Sequence, residues 1–290
     1  MSRYNSWYTT TTREDIPNKE YIDFSEEHSH ATEQKLIKND IDSVVGDIDR
    51  IVFIEDEVTT GKTILNIVSI LEDKYQGKLS FSVASLLNGM NQENLKLYRE
   101  KGIPLHYLVK TDHSTYGERA DKCAGDGCYY GPMEKQPIDY TYIEIKGAAN
   151  ARRVVEANLY LKSCQQLWDE AYKSIGFVSN RKILVIGTEE TMFPALFVGL
   201  KLEELGNIVM SHSTTRSPIV VSSENEYPLH TRYQLKSLYD SGRKTFIYDI
   251  GEYDNVFIVT DAPKNETEGL ITLLNAVSVK NKNITLIRWC

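Results

Sequence analysis

The sequence predicts an α/β fold in which parallel sheets form two successive domains. Apolar, β-prone runs alternate with amphipathic helical patterns along most of the chain, which is the rhythm of β–α–β units. The alternation starts a second time near residue 182, and the two halves share short landmarks in the same order. A chain of 290 residues is long enough for two domains, which we place at 1–135 and 136–290.

Three strands separated by helices are predicted in the first half. Apolar residues recur at helical spacing after the first strand, at Ile64, Ile67, Val68 and Leu71. The predicted strands are 51–54, 79–87 and 105–110, and the predicted helices are 63–75 and 92–101. Residues 111–138 are rich in Gly, Asp, Lys and Tyr, and we interpret them as a long functional or connecting loop.

The second half repeats this alternation with more elements. Residues 139–146 alternate in polarity as a strand does, and 148–172 carry a long helical pattern that Gly176 could end. The further predicted strands are 182–186, 207–211, 245–249, 255–261 and 283–289, and the further predicted helices are 195–205 and 268–277.

Composition excludes several classes of protein. The net charge is −8 and no long basic block occurs, which makes general nucleic-acid binding unlikely. Four cysteines in a chain of this length do not form a disulfide scaffold. No apolar run is long enough to span a membrane, and the polar start lacks a signal-peptide pattern. We therefore expect a location in the reducing cytoplasm.

The segment from Ile51 to Thr63 carries the clearest chemical signal. A buried strand is followed by the acids Glu55 and Asp56 and then by a Thr-Thr-Gly turn that opens a helix. A helix N-terminus at the carboxyl end of a parallel strand offers backbone N–H groups to an anion. Carboxylates accept hydrogen bonds from neighbouring hydroxyls. The pattern thus predicts a ribose 5-phosphate site, and it lacks the first glycine of a Walker A loop.

This segment resembles the PRPP-binding motif of type I phosphoribosyltransferases, which have a Rossmann-like parallel sheet. By that resemblance Glu55 and Asp56 would hold the ribose 2′- and 3′-hydroxyls. The 5-phosphate would be wrapped by Glu57, Val58, Thr59, Thr60, Gly61, Lys62 and Thr63. The implied reaction is attack of a nitrogenous base on C1 of PRPP, with release of pyrophosphate and with Mg²⁺ bound alongside PRPP.

The same resemblance places a mobile hood over pyrophosphate in the region before the first strand. Arg13 suits bidentate phosphate contact. His28 and His30 would contact substrate, although a role in loop structure and a metal pair are also open. We therefore assign Arg13, His28 and His30 to catalysis and predict no protein-held metal site.

Short landmarks suggest that the second domain is a diverged copy of the first. Thr11-Thr12-Arg13 matches Thr214-Thr215-Arg216, and the strand ending at Asp56 matches the strand ending at Asp261. A complete strand-turn-helix-strand precedes the second match, whereas almost nothing precedes the first. The first domain is therefore expected to be N-terminally incomplete. An upstream segment, a partner chain or residues 187–194 could supply its pyrophosphate loop.

The counterpart of the PRPP loop in the second domain, residues 261–269, lacks the adjacent acid pair and the Thr-Thr-Gly turn. This argues against PRPP binding there and leaves two hypotheses, a separate ligand site or a structural and regulatory domain. The candidate second site comprises Gly187, Thr188, Glu189, Glu190, Thr215, Arg216, Ser217 and Asp261.

Three elements together identify a narrower resemblance: residues 24–32, the motif at 51–63, and the tetrapeptide Thr215-Arg216-Ser217-Pro218. The combination resembles the phosphoribosyltransferase–TRSP proteins, which are encoded near tellurium-resistance-type stress operons. By this resemblance, the chain is expected to lack the N-terminal portion of the family. It implies synthesis of a nucleotide- or nucleoside-like metabolite linked to the stress response.

Three functions stay open at this point: a PRPP-dependent transferase acting on an unidentified base, a non-catalytic phosphoribosyl-binding or regulatory module, and a hydrolase or phosphorylase. The chain could also be a piece of a split enzyme that needs a partner chain, or form a homo-oligomer. Cys123 and Cys128, with His113 upstream, could form half of a zinc knuckle, although a flexible Gly-rich loop is favoured.

Overall fold

The structure is a computed structural model, and it describes residues 6–24, 34–133, 138–176, 178–262 and 267–290. Its contacts divide the chain into two compact units. The first unit contains Met1–Lys122 and Asn150–Ala157, and the second contains Cys123–Ala149 and Asn158–Cys290. The chain thus changes unit at residues 122–123, and the domain boundary between residues 135 and 136 stays a prediction.

The secondary-structure elements follow one another in this order. Up to residue 122 they are β1 (Trp7–Tyr8), β2 (Tyr21–Phe24), β3 (Gln34–Ile37), α1 (Lys38–Val44), β4 (Arg50–Val58), α2 (Lys62–Tyr75), β5 (Ser80–Asn88), α3 (Gln92–Glu100), β6 (Leu105–Lys110) and α4 (Tyr116–Asp121). From residue 123 they are β7 (Cys128–Tyr130), β8 (Thr141–Ile145), β9 (Val155–Glu156), α5 (Ala157–Ile175), β10 (Lys182–Gly187), α6 (Met192–Glu204), β11 (Ile208–Ser213), β12 (Thr231–Lys236), β13 (Lys244–Tyr248), β14 (Asn255–Thr260), α7 (Glu268–Ser278) and β15 (Ile284–Trp289).

The first unit is built on a parallel sheet of β4, β5 and β6, in that order. The helical spacing in α2 buries Ile64, Val68 and Leu71, which pack against Phe81 and Val83 of β5. An antiparallel hairpin of β2 and β3 precedes this sheet, and β1 pairs with β9. The parallel arrangement brings the ends of β4, β5 and β6 to one edge, where ligands bind in such folds.

The second unit contains a five-stranded parallel sheet in the order β11-β10-β14-β15-β8. A smaller sheet, β13-β12-β7, lies beside the same core. Leu184, Ile258 and Leu286 from the large sheet and Leu273 from α7 are at most 3% exposed, and they share one apolar cluster with Leu235 of β12. The central strands β10, β14 and β15 are buried on both faces, as expected for a parallel sheet covered by helices.

The two units share part of one order of elements, and the duplication stays a hypothesis. In each, an antiparallel hairpin precedes a parallel strand-helix-strand: β2–β3 before β4-α2-β5, and β12–β13 before β14-α7-β15. Each Thr-Thr-Arg segment also makes an isolated antiparallel bridge to the second hairpin strand, Thr12 with Lys35 and Thr215 with Phe246. The second unit adds β10, which pairs with β14.

The structure confirms the α/β fold with parallel sheets and corrects several details. β4 runs on to Val58, so the acids lie within the strand. The supposed loop 111–138 contains α4 and β7, and the helix predicted from residue 148 begins at Ala157. Pairing with distant strands explains β7 and β9, which local patterns do not report. Among the described residues, none of the helices combines the length and apolarity that a membrane span requires.

Candidate functional site

The predicted ribose-phosphate loop lies at the end of β4. Glu55 and Asp56 are exposed, and the Asp56 carboxylate accepts a hydrogen bond from the Glu57 N–H at 2.7 Å. Val58 and Gly61 are buried, whereas Thr59 and Lys62 face solvent and Thr60 and Thr63 are half-buried. The Thr60 hydroxyl accepts from the Lys62 N–H at 3.3 Å, in the turn that begins α2. Two carboxylates are therefore accessible next to a helix N-terminus.

Gly61 is held from beneath by two side chains. It adopts the left-handed backbone, with φ +76°, and a Cβ here would lie 2.4 Å from Met90 Cε and 2.6 Å from Tyr98 Oη. Only glycine can adopt this backbone conformation and also leave room for these two side chains without strain. The buried Tyr98 hydroxyl donates to the Gly61 carbonyl at 2.6 Å. Burial, with a smaller effect of the Glu55 charge, raises the pKa of Tyr98, so this hydroxyl remains a donor.

The loops after β4, β5 and β6 contact one another. The Gly89 N–H donates to the Val58 carbonyl at 2.8 Å, and the Thr111 N–H donates to the Asn88 carbonyl at 2.8 Å. His113 packs directly on the next loop, because a Cβ at Gly89 would lie 2.0 Å from its ring. The carboxyl edge of the first sheet is thus one connected set of loops.

Glu57, one residue before the end of β4, connects that strand to the loop after β6. Its Oε1 lies 2.9 Å from Nε2 of His113, which is also 2.8 Å from the Thr111 hydroxyl. The His113 ring stacks on Tyr116 at the start of α4, with 4.4 Å between ring centroids. The Glu57 side chain is therefore occupied by His113. The backbone of the turn after β4 is the part suited to bind a phosphate.

Of the residues assigned to catalysis, Arg13 lies within the described part of the chain. Arg13 is half-buried beside Thr12, whose backbone N–H donates to Lys35 of β3 at 2.9 Å. His28 and His30 lie outside the described residues. The catalytic roles of Arg13, His28 and His30 stay predictions.

In the second unit, Glu189 lies at the centre of a buried ion-pair cluster. Its side chain is 3% exposed, and its Oε2 is 2.9 Å from Arg243 Nη1 and 3.4 Å from Arg216 Nη2. Ser237 donates to its other oxygen at 2.5 Å, and Arg216 is also 3.6 Å from Glu190. The Glu189 carboxylate therefore lies between two arginines, and both of its oxygens are engaged within the protein.

The Tyr239 hydroxyl is the centre of a neighbouring network. It lies 2.6 Å from Asp261 Oδ1, 2.8 Å from the Thr188 hydroxyl and 3.0 Å from the Thr191 hydroxyl. Thr188 also bonds Thr260 at 2.7 Å. Burial first, then the Asp261 charge, raises the pKa of Tyr239. Gly187 permits this close packing, since a Cβ there would lie 2.8 Å from the Thr191 carbonyl.

The tetrapeptide at 215–218 makes internal contacts. Thr215 pairs with the Phe246 backbone, and its hydroxyl accepts from the Ser217 N–H at 3.2 Å. The Ser217 carbonyl accepts from the Tyr248 hydroxyl at 2.6 Å. The structure thus brings the candidate second-site residues together in a network whose members bond one another. Its role as a ligand site stays a prediction.

Sequence reasoning did not connect the supporting residues to either site, although it named His113 in another context. In the first unit these are Met90, Tyr98, His113 and Tyr116, and in the second they are Ser237, Tyr239 and Arg243. His113 and Tyr116 could have been suspected, because they follow a strand of the same parallel sheet. Tyr98 and Tyr239 offer no such signal, because each reaches its loop from a separate element.

Among the described residues, no three His, Cys, Asp or Glu side chains form a cluster that could hold a metal ion. Cys123 is half-buried and Cys128 is exposed at the start of β7, and both are free thiols. The Asp126 carboxylate between them binds the Ser223 hydroxyl at 2.7 Å and the Ser222 hydroxyl at 3.1 Å. The segment between the cysteines is thus anchored to the second unit.

Comparisons with known proteins agree with the order of the two units. A family described as phosphoribosyl transferase matches residues 1–113, and a family described as the TRSP domain, C-terminal to that transferase, matches residues 152–277. No curated protein and no solved structure matches the chain. The two families follow each other here as they do in the proteins that define the second. The chain belongs to the phosphoribosyltransferase–TRSP proteins.

Proposed function

We propose that the first unit binds PRPP with Mg²⁺ and transfers its ribose 5-phosphate to a nitrogenous base. The family supports a function of the phosphoribosyltransferase type. The observation that carries the finer proposal is the accessible acid pair Glu55–Asp56 beside the braced turn at Gly61. A diol clamp next to an anion-binding helix N-terminus matches the two ends of a ribose 5-phosphate group.

The residues have separate roles in this proposal. Glu55 and Asp56 accept hydrogen bonds from the two ribose hydroxyls, and the backbone from Thr59 to Thr63 holds the 5-phosphate. Tyr98 keeps the turn in its binding shape, so little ordering is required when the ligand arrives. Fixing the ribose in this way positions C1 for attack by the base.

The donor set suits Mg²⁺ that arrives with its ligand. Mg²⁺ retains several waters and uses few protein carboxylates when it binds substrate phosphates. The exposed carboxylates of Glu55 and Asp56 fit that need, whereas a metal cage built by the protein alone is not found among the described residues. When bound, Mg²⁺ would neutralise charge on pyrophosphate.

Calorimetric titration of PRPP with Mg²⁺ into the purified chain tests this proposal. Saturable binding is expected, and the double variant Glu55→Gln/Asp56→Asn is expected to abolish it. The matched control is Glu93→Gln/Glu100→Gln on the exposed face of α3, which should bind as the parent does. Equal binding by the double variant and the parent would contradict the site assignment.

A second assay separates transfer from binding alone. Release of pyrophosphate from PRPP in the presence of a panel of nucleobases supports the transferase. PRPP binding without release favours a non-catalytic phosphoribosyl-binding or regulatory module, for which the internally bonded network of the second unit is the specific observation. A link to stress-response metabolism belongs to the same proposal and rests on the family resemblance, and a cytoplasmic location is proposed with it from the composition of the chain.

A further inference from the structure

The loop between β6 and α4 contacts the end of β4, next to the proposed PRPP turn, through His113. His113 is fixed on three sides: by Glu57 at 2.9 Å, by the Thr111 hydroxyl at 2.8 Å, and by the backbone at Gly89, on which its ring packs. Its side chain is 18% exposed. An imidazole held in this way has one orientation, so whatever packs on it is positioned relative to Glu57.

Tyr116 is the side chain that packs on it. The two rings are inclined by 24°, with 4.4 Å between their centroids, so Tyr116 extends the aromatic surface of His113. Tyr116 is nevertheless 48% exposed, and none of the residues of α4 is buried. The structure therefore presents a flat aromatic surface to solvent, anchored at the same sheet edge as Glu55 and Asp56.

We propose that His113 and Tyr116 form the surface on which the acceptor, a planar nitrogen heterocycle, is held. His113 is a positioning residue in this arrangement, because its contact with Glu57 ties the acceptor surface to the ribose-phosphate loop. Every such heterocycle has a π-face that stacks on an aromatic side chain, and stacking is tolerant of ring identity. The inference rests on the proposed transferase function and deepens it.

The shared contact has a thermodynamic consequence. The turn is already braced and Glu57 already contacts His113, so bound PRPP should only restrict the motion that remains at Glu57 and, through it, at His113 and the surface beyond. PRPP should then tighten binding of the heterocycle, and by linkage the heterocycle should tighten binding of PRPP by the same factor. The Glu57–His113 contact is the element through which this coupling passes.

The test measures the two ligands separately on the full chain. The affinity for Mg²⁺–PRPP is measured by calorimetry, and the affinities for adenine, hypoxanthine, uracil and nicotinamide are measured by ligand-observed NMR with and without PRPP. Tyr116→Ala is expected to weaken heterocycle binding by about tenfold or more, the effect of losing one stacking partner, and to leave PRPP affinity within about twofold. Tyr116→Phe keeps the ring and should behave as the parent.

Tyr107→Ala is the matched control. Tyr107 is an exposed tyrosine on β6 of the same sheet, 42% exposed, and its removal should change neither affinity. Glu57→Gln should abolish the effect of PRPP on heterocycle affinity while Tyr116 remains. His113→Gln should also abolish the effect of PRPP on heterocycle affinity. Because Glu57 is more exposed than His113, Glu57→Gln serves as the test if His113→Gln fails to fold.

The outcomes separate the two proposals. A parent chain that fails to bind PRPP overturns the proposed function, and this inference falls with it. A parent that binds PRPP but binds the heterocycles equally well after Tyr116→Ala overturns only the acceptor surface. Binding of none of the four heterocycles to the PRPP-loaded parent contradicts a planar acceptor held on this surface.

Discussion

The carboxyl ends of β4 and β10, each taken with the loop that follows, carry acidic residues in opposite surroundings. In the first unit the carboxylates of Glu55 and Asp56 face solvent, and protein contacts brace the turn from beneath. In the second unit Glu189 is 3% exposed and bonds two arginines and a serine. The acids of the first unit are open to solvent, while those of the second bond other side chains of the protein.

The strands β4 and β14, which each follow an antiparallel hairpin in their own unit, also differ in exposure. On β4, Val52 is 49% and Ile54 73% exposed, whereas Phe257 and Val259 on β14 are 2% and 0% exposed. β14 has β10 beside it and α6 in contact, whereas β4 is an edge strand among the described residues. The second unit thus has the added β10-α6-β11 beside β14, whereas no strand pairs with the outer side of β4 among the described residues.

The largest expected effect is on the loop after β10. Glu189→Gln removes the charge that balances Arg216 and Arg243, whose side chains are 15% and 14% exposed. Loss of one partner from such a buried cluster should lower the free energy of unfolding by on the order of 3 kcal/mol. Hydrogen exchange read by mass spectrometry should show the loss in the second unit, with PRPP binding unchanged. A loss of PRPP binding without loss of stability would reverse the comparison.

The next effect concerns the brace under the turn after β4. Gly61→Ala should cost about 1–2 kcal/mol for the left-handed backbone, and the clash with Met90 and Tyr98 should add to it. Gly77→Ala is the matched control, since Gly77 has φ +71° but no heavy atom within 4 Å of an added Cβ. Thermal unfolding of both variants checks the prediction, which is wrong if the two are equally destabilised.

A smaller effect in free energy is expected from Asp56→Asn. Asp56 is exposed, so stability should change by less than about 0.5 kcal/mol. Loss of a hydrogen bond to a charged group should weaken PRPP binding by roughly tenfold to a hundredfold. Paired with Glu189→Gln, this variant tests whether an acid at the sheet edge serves binding in one unit and stability in the other. Calorimetry measures the PRPP affinity of both variants, and chemical denaturation measures their free energies of unfolding.

The smallest effect is the pH dependence of the second unit. Burial lowers the pKa of His212 below its ordinary value of 6.5, with the Asp249 charge opposing the shift. Above pH 6.5 the imidazole is largely neutral in both the folded and the unfolded chain. Below pH 6.5 the unfolded chain takes up the proton more readily than the folded chain does. The free energy of unfolding should therefore fall as pH drops through and below 6.5. His212→Gln should flatten this dependence, as measured by denaturation between about pH 5 and 8, while the first unit keeps its own profile.

Local patterns predicted the parallel strands and helices well, because their apolar periodicity reflects burial on the same core. β6 was predicted at its observed bounds, and α2 within one residue. The hairpin strands β2 and β3 and the strand β12 were missed, because their pairing is a property of distant backbone and not of local composition.

The same distinction applies to the sites. The motif at 55–63 could be interpreted from sequence because strand, acids and turn are contiguous. Tyr98 bonds the Gly61 carbonyl from another helix, and Arg243 reaches Glu189 from a turn before β13. No spacing rule connects such pairs, so the brace and the ion-pair cluster emerge only from the fold.

The discontinuous first unit has a consequence for how the protein is made. Asp40 is 8% exposed, and Arg153 binds it with an Nη2–Oδ1 distance of 2.7 Å. Burial alone would raise the pKa of Asp40, and the Arg153 contact more than offsets this, so that the net shift is downward. Arg153 and β9 are translated only after residues 123–149 of the second unit. During synthesis on the ribosome, the Asp40 carboxylate therefore lacks the Arg153 guanidinium until the chain has been extended past residue 153. The first unit completes folding only after translation of the second unit has begun.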